Sequence, residues 1–284
     1  SQEQEIAHNK ALFHVLLTDP SVRSEAEILR SQRLLREAGY TLVSYSTERN
    51  PQHPDGIGGR WNSETAGAMR AYGEETSATI ARRIDIANQV TGNLQVPANP
   101  RTHSSSTFIE IDGRRHDFTF TTSSYSNALS YGYSVRDAVL NVDVGTYLAV
   151  ADGAARIADP GTGTAFTVSS GWRPNVGART VHPEGIGLDL TRLEVTQNGS
   201  RISTHFVDPG KRVGHDPSIP EPELARQYRE SLHSIRAEAG ISQIFTPWQM
   251  LRSPREQWRV NHPRAEGDND WTHRHHLHIG LRGY

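Results

Sequence analysis

The sequence predicts an α+β protein: a helical N-terminal module, then a C-terminal domain with a central antiparallel sheet flanked by helices. Three observations carry this. Leucine and isoleucine recur at helical spacing through residue 91, short alternating segments dominate from residue 106, and one amphipathic stripe returns at 221–240. At 284 residues the chain has room for one large domain or two unequal ones.

In "SEAEILRSQRLLREAGY", Ile28, Leu29, Leu34 and Leu35 fall at helical spacing, Ser24 with Glu27 forms a capping box, and Gly39 supplies the stop. The loop "STERNPQHPDGIGG" follows. A helix "NSETAGAMRAYGEE" starts behind Asn62 or Ser63, and another, "TSATIARRIDIANQVTG", ends at Gly92. The Pro, Asn and Ser content of "NLQVPANPRTHSSS" marks a linker, which divides the chain into 1–92, 93–106 and 107–284. "STFIEIDGRRHDFTF" alternates around Asp112-Gly113 and predicts a hairpin. Further strands are expected at "NVDVGTYLAVA", "TAFTVSSGW", "GLDLTRLEVTQ" and "SRISTHFVD". The late helix "EPELARQYRESLHSIRAEAG" sets Leu224, Tyr228, Leu232 and Ile235 on one stripe and stops at Gly240.

Composition excludes several functions. Lys+Arg 30 against Asp+Glu 32 gives a net charge of -2, with no polybasic run, so nucleic acid is not an expected partner. No apolar stretch approaches the roughly 20 residues of a membrane span. No signal-like h-region opens the chain, so Ser1 is expected to be a mature or expression-derived N-terminus. Cysteine is absent, which rules out disulfides and thiolate metal sites and leaves His, Asp or Glu to bind any zinc.

The segment "LRSQRLLREAGY…DGIGGRWNSETAGAMRAY" resembles the small three-helix peptidoglycan-binding module. The matching residues are Leu34, Leu35, Gly39, Tyr40, Asp55, Gly56, Gly59, Thr65, Ala68 and Tyr72. The loop is longer than in that family, and an extra residue separates Gly59 from Thr65. A generic helical hairpin with a Gly-rich turn is the alternative reading.

The chemistry concentrates at the end, in "DWTHRHHLHIGLRGY". Four of 14 histidines lie between His273 and His278. In a strand, residues two apart share a face, so His276 and His278 point one way while Leu277 and Ile279 point into the core. Paired imidazoles on apolar backing point to metal: both are ligands, or one binds the ion and the other moves protons. Upstream, His182 and Asp189 are separated by a turn with Gly185 and Gly187, which lets an imidazole fold back toward the carboxylate. Asp189 stands between Leu188 and Leu190 and needs a compensating cation, either a metal or an arginine such as Arg173 or Arg192.

The combined pattern, H-x-x-G-x-x-x-D at His182, Gly185 and Asp189 with H-x-H at His276 and His278, resembles the zinc metallopeptidases that group lysostaphin-type enzymes, D-Ala-D-Ala peptidases and the hedgehog fold. "SSGWRP" is similar to their S-G-aromatic-R element, with Arg173 in the matching place. The resemblance covers roughly residues 105–284. His275 stands where the D-Ala-D-Ala branch carries a catalytic Glu, whereas His273, His276 and His278 resemble the penicillin-insensitive murein endopeptidases. Arg179 departs from that branch, which has a further histidine there.

The resemblance implies Zn²⁺ held by His182, Asp189 and His278. It also implies His276 as general base or oxyanion stabiliser, His273 as its support, and Arg173 holding a substrate carboxylate or the oxyanion. His275, facing away from His276 in a regular strand, is expected to be the least involved of the four. Trp172, Trp248 and Trp271 either line the cleft or pack in the core. With the N-terminal module, the expectation is a periplasmic or secreted, cell-wall-associated endopeptidase of bacterial or phage origin acting on peptidoglycan. A D,D- or L,D-carboxypeptidase and a non-catalytic zinc-containing wall-binding protein are the alternatives.

Overall fold

The computed structural model describes residues 1–43, 57–174, 182, 185–206, 220–250 and 275–284. The N-terminal part consists of α1 (Gln2–Thr18), a 3₁₀ turn (Pro20–Val22), α2 (Glu25–Glu37), α3 (Ser63–Glu74) and α4 (Ser77–Gly92). Local chemistry starts each helix. The Ser24 hydroxyl accepts from the Glu27 amide, Asn62 caps α3 through the Thr65 amide, and Thr76 caps α4 through that of Thr79. The apolar faces of these helices meet around Phe13, Leu16, Leu35, Tyr40, Met69 and Tyr72.

After Gly92, Gln95 makes an isolated bridge to Ser106. The hairpin β1 (Ser105–Ile111) and β2 (Arg114–Phe120) turns at Asp112-Gly113, and α5 (Ser123–Ser130), α6 (Val135–Leu140) and α7 (Val144–Ala155) follow. Then come β3 (Thr164–Ser170), β4 (Gly187–Gln197), β5 (Ser200–His205), α8 (Glu223–Ser234), β6 (Ile241–Phe245), α9 (Pro247–Met250) and β7 (Leu277–Leu281). The seven strands form one sheet in the order β1-β2-β3-β4-β7-β6, with β5 also on β4. Only β2 and β3 run parallel. The fold is α+β with a mostly antiparallel sheet.

The strand expected at "NVDVGTYLAVA" is a correction: residues 144–155 form α7. Asp143 caps it, its Oδ1 accepting from the Gly145 amide at 2.7 Å. The helix buries Val144, Tyr147, Val150, Ala151 and Ala154 on more than one side, and an apolar run of that kind has no period to separate it from a buried strand. Helices α5 and α6, which the alternation gave no sign of, fill the connection between β2 and α7.

Strand β4 positions the site. Its C-terminal half pairs with β5 (Arg192↔His205 to Gln197↔Ser200) and its N-terminal half with β7 (Gly187↔Gly280 to Leu190↔Leu277). One face of β4 and β7, including Leu188, Leu190, Leu277 and Ile279, closes on the larger core with Phe118, Phe166, Tyr147 and Tyr228. Helix α4 belongs to both cores, giving Ile80 to the smaller and Ile86 and Val90 to the larger.

A polar cluster joins the same two regions. Arg83 of α4 donates to Gly39 O (2.9 Å) and to the Tyr284 hydroxyl (3.2 Å), and lies 3.4 Å from Asp143. The Thr41 hydroxyl (3.1 Å) and the Tyr284 hydroxyl donate to the same carboxylate. Among the described residues no helix is long and apolar enough to cross a membrane.

Candidate metal centre

Asp189 and His278 are direct partners in the β4–β7 ladder, so their side chains rise on the same face at adjacent positions. The flanking leucines and isoleucine turn to the core, and this alternation places both polar groups together on the opposite face. His278 Nδ1 lies 2.7 Å from Asp189 Oδ1. His276, two residues earlier, places Nε2 3.3 Å from the same oxygen.

His182 arrives from a turn. The Gly185 amide donates to His182 O at 3.0 Å, and Gly185 O accepts from the Asp143 amide at 2.7 Å. Gly185 has φ +73°, and a Cβ there would collide with Asn141 O and come within 2.7 Å of Thr41 Cγ2. Only glycine fits this backbone at so close an approach. The turn delivers His182 Nε2 to 3.2 Å from Asp189 Oδ2.

All four groups are buried: His182 and His278 are 3% exposed, Asp189 5% and His276 6%. One ligand atom each from His182, Asp189 and His278 lies within 4.8 Å of the others, and this group could hold a metal ion.

The outer nitrogens of the two histidines strengthen that fit. His182 Nδ1 is 3.0 Å from the Gly171 carbonyl, which can only accept, so Nδ1 carries the hydrogen. His278 Nε2 stands likewise 2.9 Å from Gln243 Oε1. In the neutral rings this leaves His182 Nε2 and His278 Nδ1 as lone pairs, both aimed at the Asp189 carboxylate. Three acceptors facing one another in a buried site require a cation between them, a proton or a metal ion.

The electrostatics agree. Burial pushes the Asp189 carboxyl up, but with a proton on their inner nitrogens the His182 and His276 imidazoles, and the hydrogen bonds that His182 and His278 then donate, outweigh it and hold the group well below the usual carboxylate range. Here a proton acts as the cation between the groups. His278 is lowered, first by burial, with Asp189 opposing. A buried histidine that stays neutral keeps the lone pair a metal requires.

Arg173 follows β3, half-buried, and its positive charge contributes to lowering His278. Arg192 pairs with Glu194 at 3.1 Å. Trp172 is buried against Tyr133, edge to face at 5.2 Å, and both Trp172 and Trp248 belong to the core. His273, Arg179 and Trp271 lie outside the described residues, as do Asp55 and Gly56 of the N-terminal motif. His275 is exposed, yet its Nδ1 lies 2.7 Å from His276 Nδ1. Strand β7 begins only at Leu277, so strict alternation does not extend back to the 275–276 pair.

Two neighbours of the cluster escaped the sequence reading. Gln243 reaches His278 Nε2, and the Phe245 ring stacks on that imidazole at 5.6 Å and 14°. Both sit on β6, whose register shifts between Ile241 and Gln243 and so hides its alternation.

Fold and site together define an α+β protein with a buried His-Asp-His cluster able to hold a metal ion. No protein-family model, curated protein or solved structure matches the chain.

Proposed function

We propose that the protein is a zinc-dependent peptidoglycan hydrolase, an endopeptidase cleaving an amide bond in murein stem peptides or cross-links. The observation that carries this reading is the convergence of His182 Nε2 and His278 Nδ1 on Asp189, with His276 beside them. Two nitrogens and one carboxylate oxygen form a donor set that suits Zn²⁺ and leaves a fourth position for water. A zinc ion held there would lower the pKa of a bound water toward about 7 and polarise a scissile carbonyl.

The chain's own groups do the rest. His182, Asp189 and His278 hold the ion. His276 accepts the proton of the attacking water at Nε2 and returns it to the departing amine nitrogen as the C–N bond breaks. An imidazole can take up a proton and give it back, which suits both directions. Arg173 supplies a positive charge for a substrate carboxylate or for the oxyanion, and His273 supports an imidazole. The N-terminal module, through its likeness to peptidoglycan-binding modules, keeps the site concentrated on an insoluble polymer, in the periplasm or outside the cell.

The test is digestion of purified sacculi with zinc, read by mass spectrometry of the released muropeptides. Wild type is expected to release cross-link fragments with new amino termini, and His278→Ala, which removes a proposed metal ligand, to lose nearly all of that release. Loss of only a terminal residue would make the enzyme a carboxypeptidase. Identical profiles for the two proteins would sink the enzymatic reading.

A further inference from the structure

Gly280 presents a puzzle. Its φ is not among the positive ones, so its backbone does not demand glycine. It lies within β7, where glycine weakens a strand. The space above it supplies the reason. Gly280 pairs with Gln243 across the β6–β7 ladder, and a Cβ on Gly280 would meet Gln243 Oε1 at 2.7 Å, its Cβ at 3.2 Å and its Cδ at 3.3 Å. The glutamine side chain therefore lies across the bare glycine, and from there its Oε1 reaches His278 Nε2 at 2.9 Å.

The register explains why Gln243 is available. The irregularity between Ile241 and Gln243 puts Gln243 opposite Gly280, Ile244 opposite Ile279 in the core, and Phe245 opposite His278. Gln243 and Phe245 thus share the metal face of the sheet. Ser242 stays behind and donates its hydroxyl to Gly280 O at 3.1 Å, which holds the irregular position in place. The His278 ring is fixed twice, in its plane by the stacked Phe245 and in its hydrogen position by the Gln243 carbonyl oxygen.

We propose that Gln243 is a positioning residue for the metal centre: it holds His278 as the Nε2–H tautomer with Nδ1 turned to the ion, and Gly280 is glycine to let it do so. The inference rests on the zinc reading of the site. The physical basis is that a neutral imidazole has one hydrogen and two nitrogens to choose between. A fixed acceptor at Nε2 settles the choice in favour of a lone pair at Nδ1, and partners of this kind carry about 10–100-fold in metal affinity. Gln243 itself touches neither ion nor substrate.

The experiment uses the full chain and three variants: Gln243→Leu, which keeps bulk and removes the acceptor, Gln243→Glu, which keeps an acceptor, and Gly280→Ala, which displaces the side chain. Zinc affinity is measured by competition with a chelator. The tautomer of His278 is read in chelated protein from two-dimensional ¹H–¹⁵N spectra of ¹⁵N-histidine-labelled samples. We expect wild type to show the Nε2–H form. Gln243→Leu and Gly280→Ala should lose about 10–100-fold in affinity and show mixed tautomers, while Gln243→Glu stays within a few-fold of wild type. Unchanged affinity with an unchanged tautomer in Gln243→Leu would overturn the proposal, as would a Gln243→Glu protein no better than Gln243→Leu. A wild type that takes up no zinc defeats the metal reading instead, and the tautomer comparison still decides the role of Gln243. Should Gln243→Leu not fold, the Gly280→Ala and Gln243→Glu pair decides it by the same criteria.

Discussion

Asp143 and Asp189 are both buried, 3% and 5% exposed, and both are tied to the 182–185 turn, one through its amide and the other through His182. They are neutralised differently. Asp143 faces the guanidinium of Arg83 and the hydroxyls of Thr41 and Tyr284. Asp189, among the described residues, faces three imidazoles, two of them with lone pairs turned inward. A guanidinium stays charged wherever the protein is folded, whereas an imidazole is a proton or metal acceptor. The first cluster carries its countercharge in protein atoms, with Arg83 Nε left without a hydrogen-bond partner among the described residues. The second has ligand atoms that could hold a metal ion as the countercharge, and that is what separates a structural ion pair from a candidate receptacle for one.

The largest break in this comparison is Arg83→Met. Removing one partner of a buried pair leaves Asp143 uncompensated, at about 3–5 kcal/mol of stability. Urea unfolding in saturating zinc should register that loss, while the zinc stoichiometry of the folded fraction is unchanged. A cost below about 1 kcal/mol would mean that the cluster is not the fixed element described here.

How much of this was legible in the sequence differs between the two clusters. The residues of the metal cluster lie in two short windows, and the spacing gave much of their geometry: a glycine turn from His182 to Asp189, and a final strand that sets His278 opposite Asp189, although His276 stands just before that strand. Strand β4 covers the expected "GLDLTRLEVTQ" because its leucines and valine alternate with polar residues there. The Asp143 cluster left no local trace, since Arg83 and Tyr284 are 201 positions apart and are brought together only by the tertiary fold. Asp143 also preceded a segment read as strand, so its capping role went unseen. Gln243 was hidden by the irregular β6 register, and the purpose of Gly280 by the fact that its constraint is another residue's side chain.

The second prediction sharpens the contrast through pH. In chelated protein the unfolded chain protonates His278 near pH 6.5, whereas burial delays this in the folded state. The unfolded state therefore binds more protons below 6.5, and stability falls as pH drops through that value, by at most about 1.4 kcal/mol per pH unit per group. Asp189, held well below 3.8, keeps its stabilising share above that pH and loses it only on further acidification. His116, pushed down to about 4 first by burial and then by Arg114, titrates in the same window. Unfolding free energies at pH 8, 6 and 5 are therefore compared between His116→Gln and His116→Gln/His278→Gln. The single variant should weaken with acid more steeply than the double; parallel profiles would remove His278 as the responsive group.

Tyr284→Phe has the smallest expected effect and tests the Asp143 side most finely. It removes one hydroxyl that donates to Asp143 and accepts from Arg83, and keeps the ring that packs 5.5 Å from Tyr40. Arg83 and Thr41 still serve the carboxylate, so neither charge is orphaned, and the loss is confined to the hydroxyl's hydrogen bonds to Asp143 and from Arg83. The expected cost is about 1–2 kcal/mol. The effect should also be non-additive with Arg83→Met, because both act on the same carboxylate, and a double-mutant cycle reads that coupling directly. Full additivity would mean that the Tyr284 hydroxyl and Arg83 contribute independently of one another, and a cost near zero for Tyr284→Phe that Tyr284 acts through its ring alone.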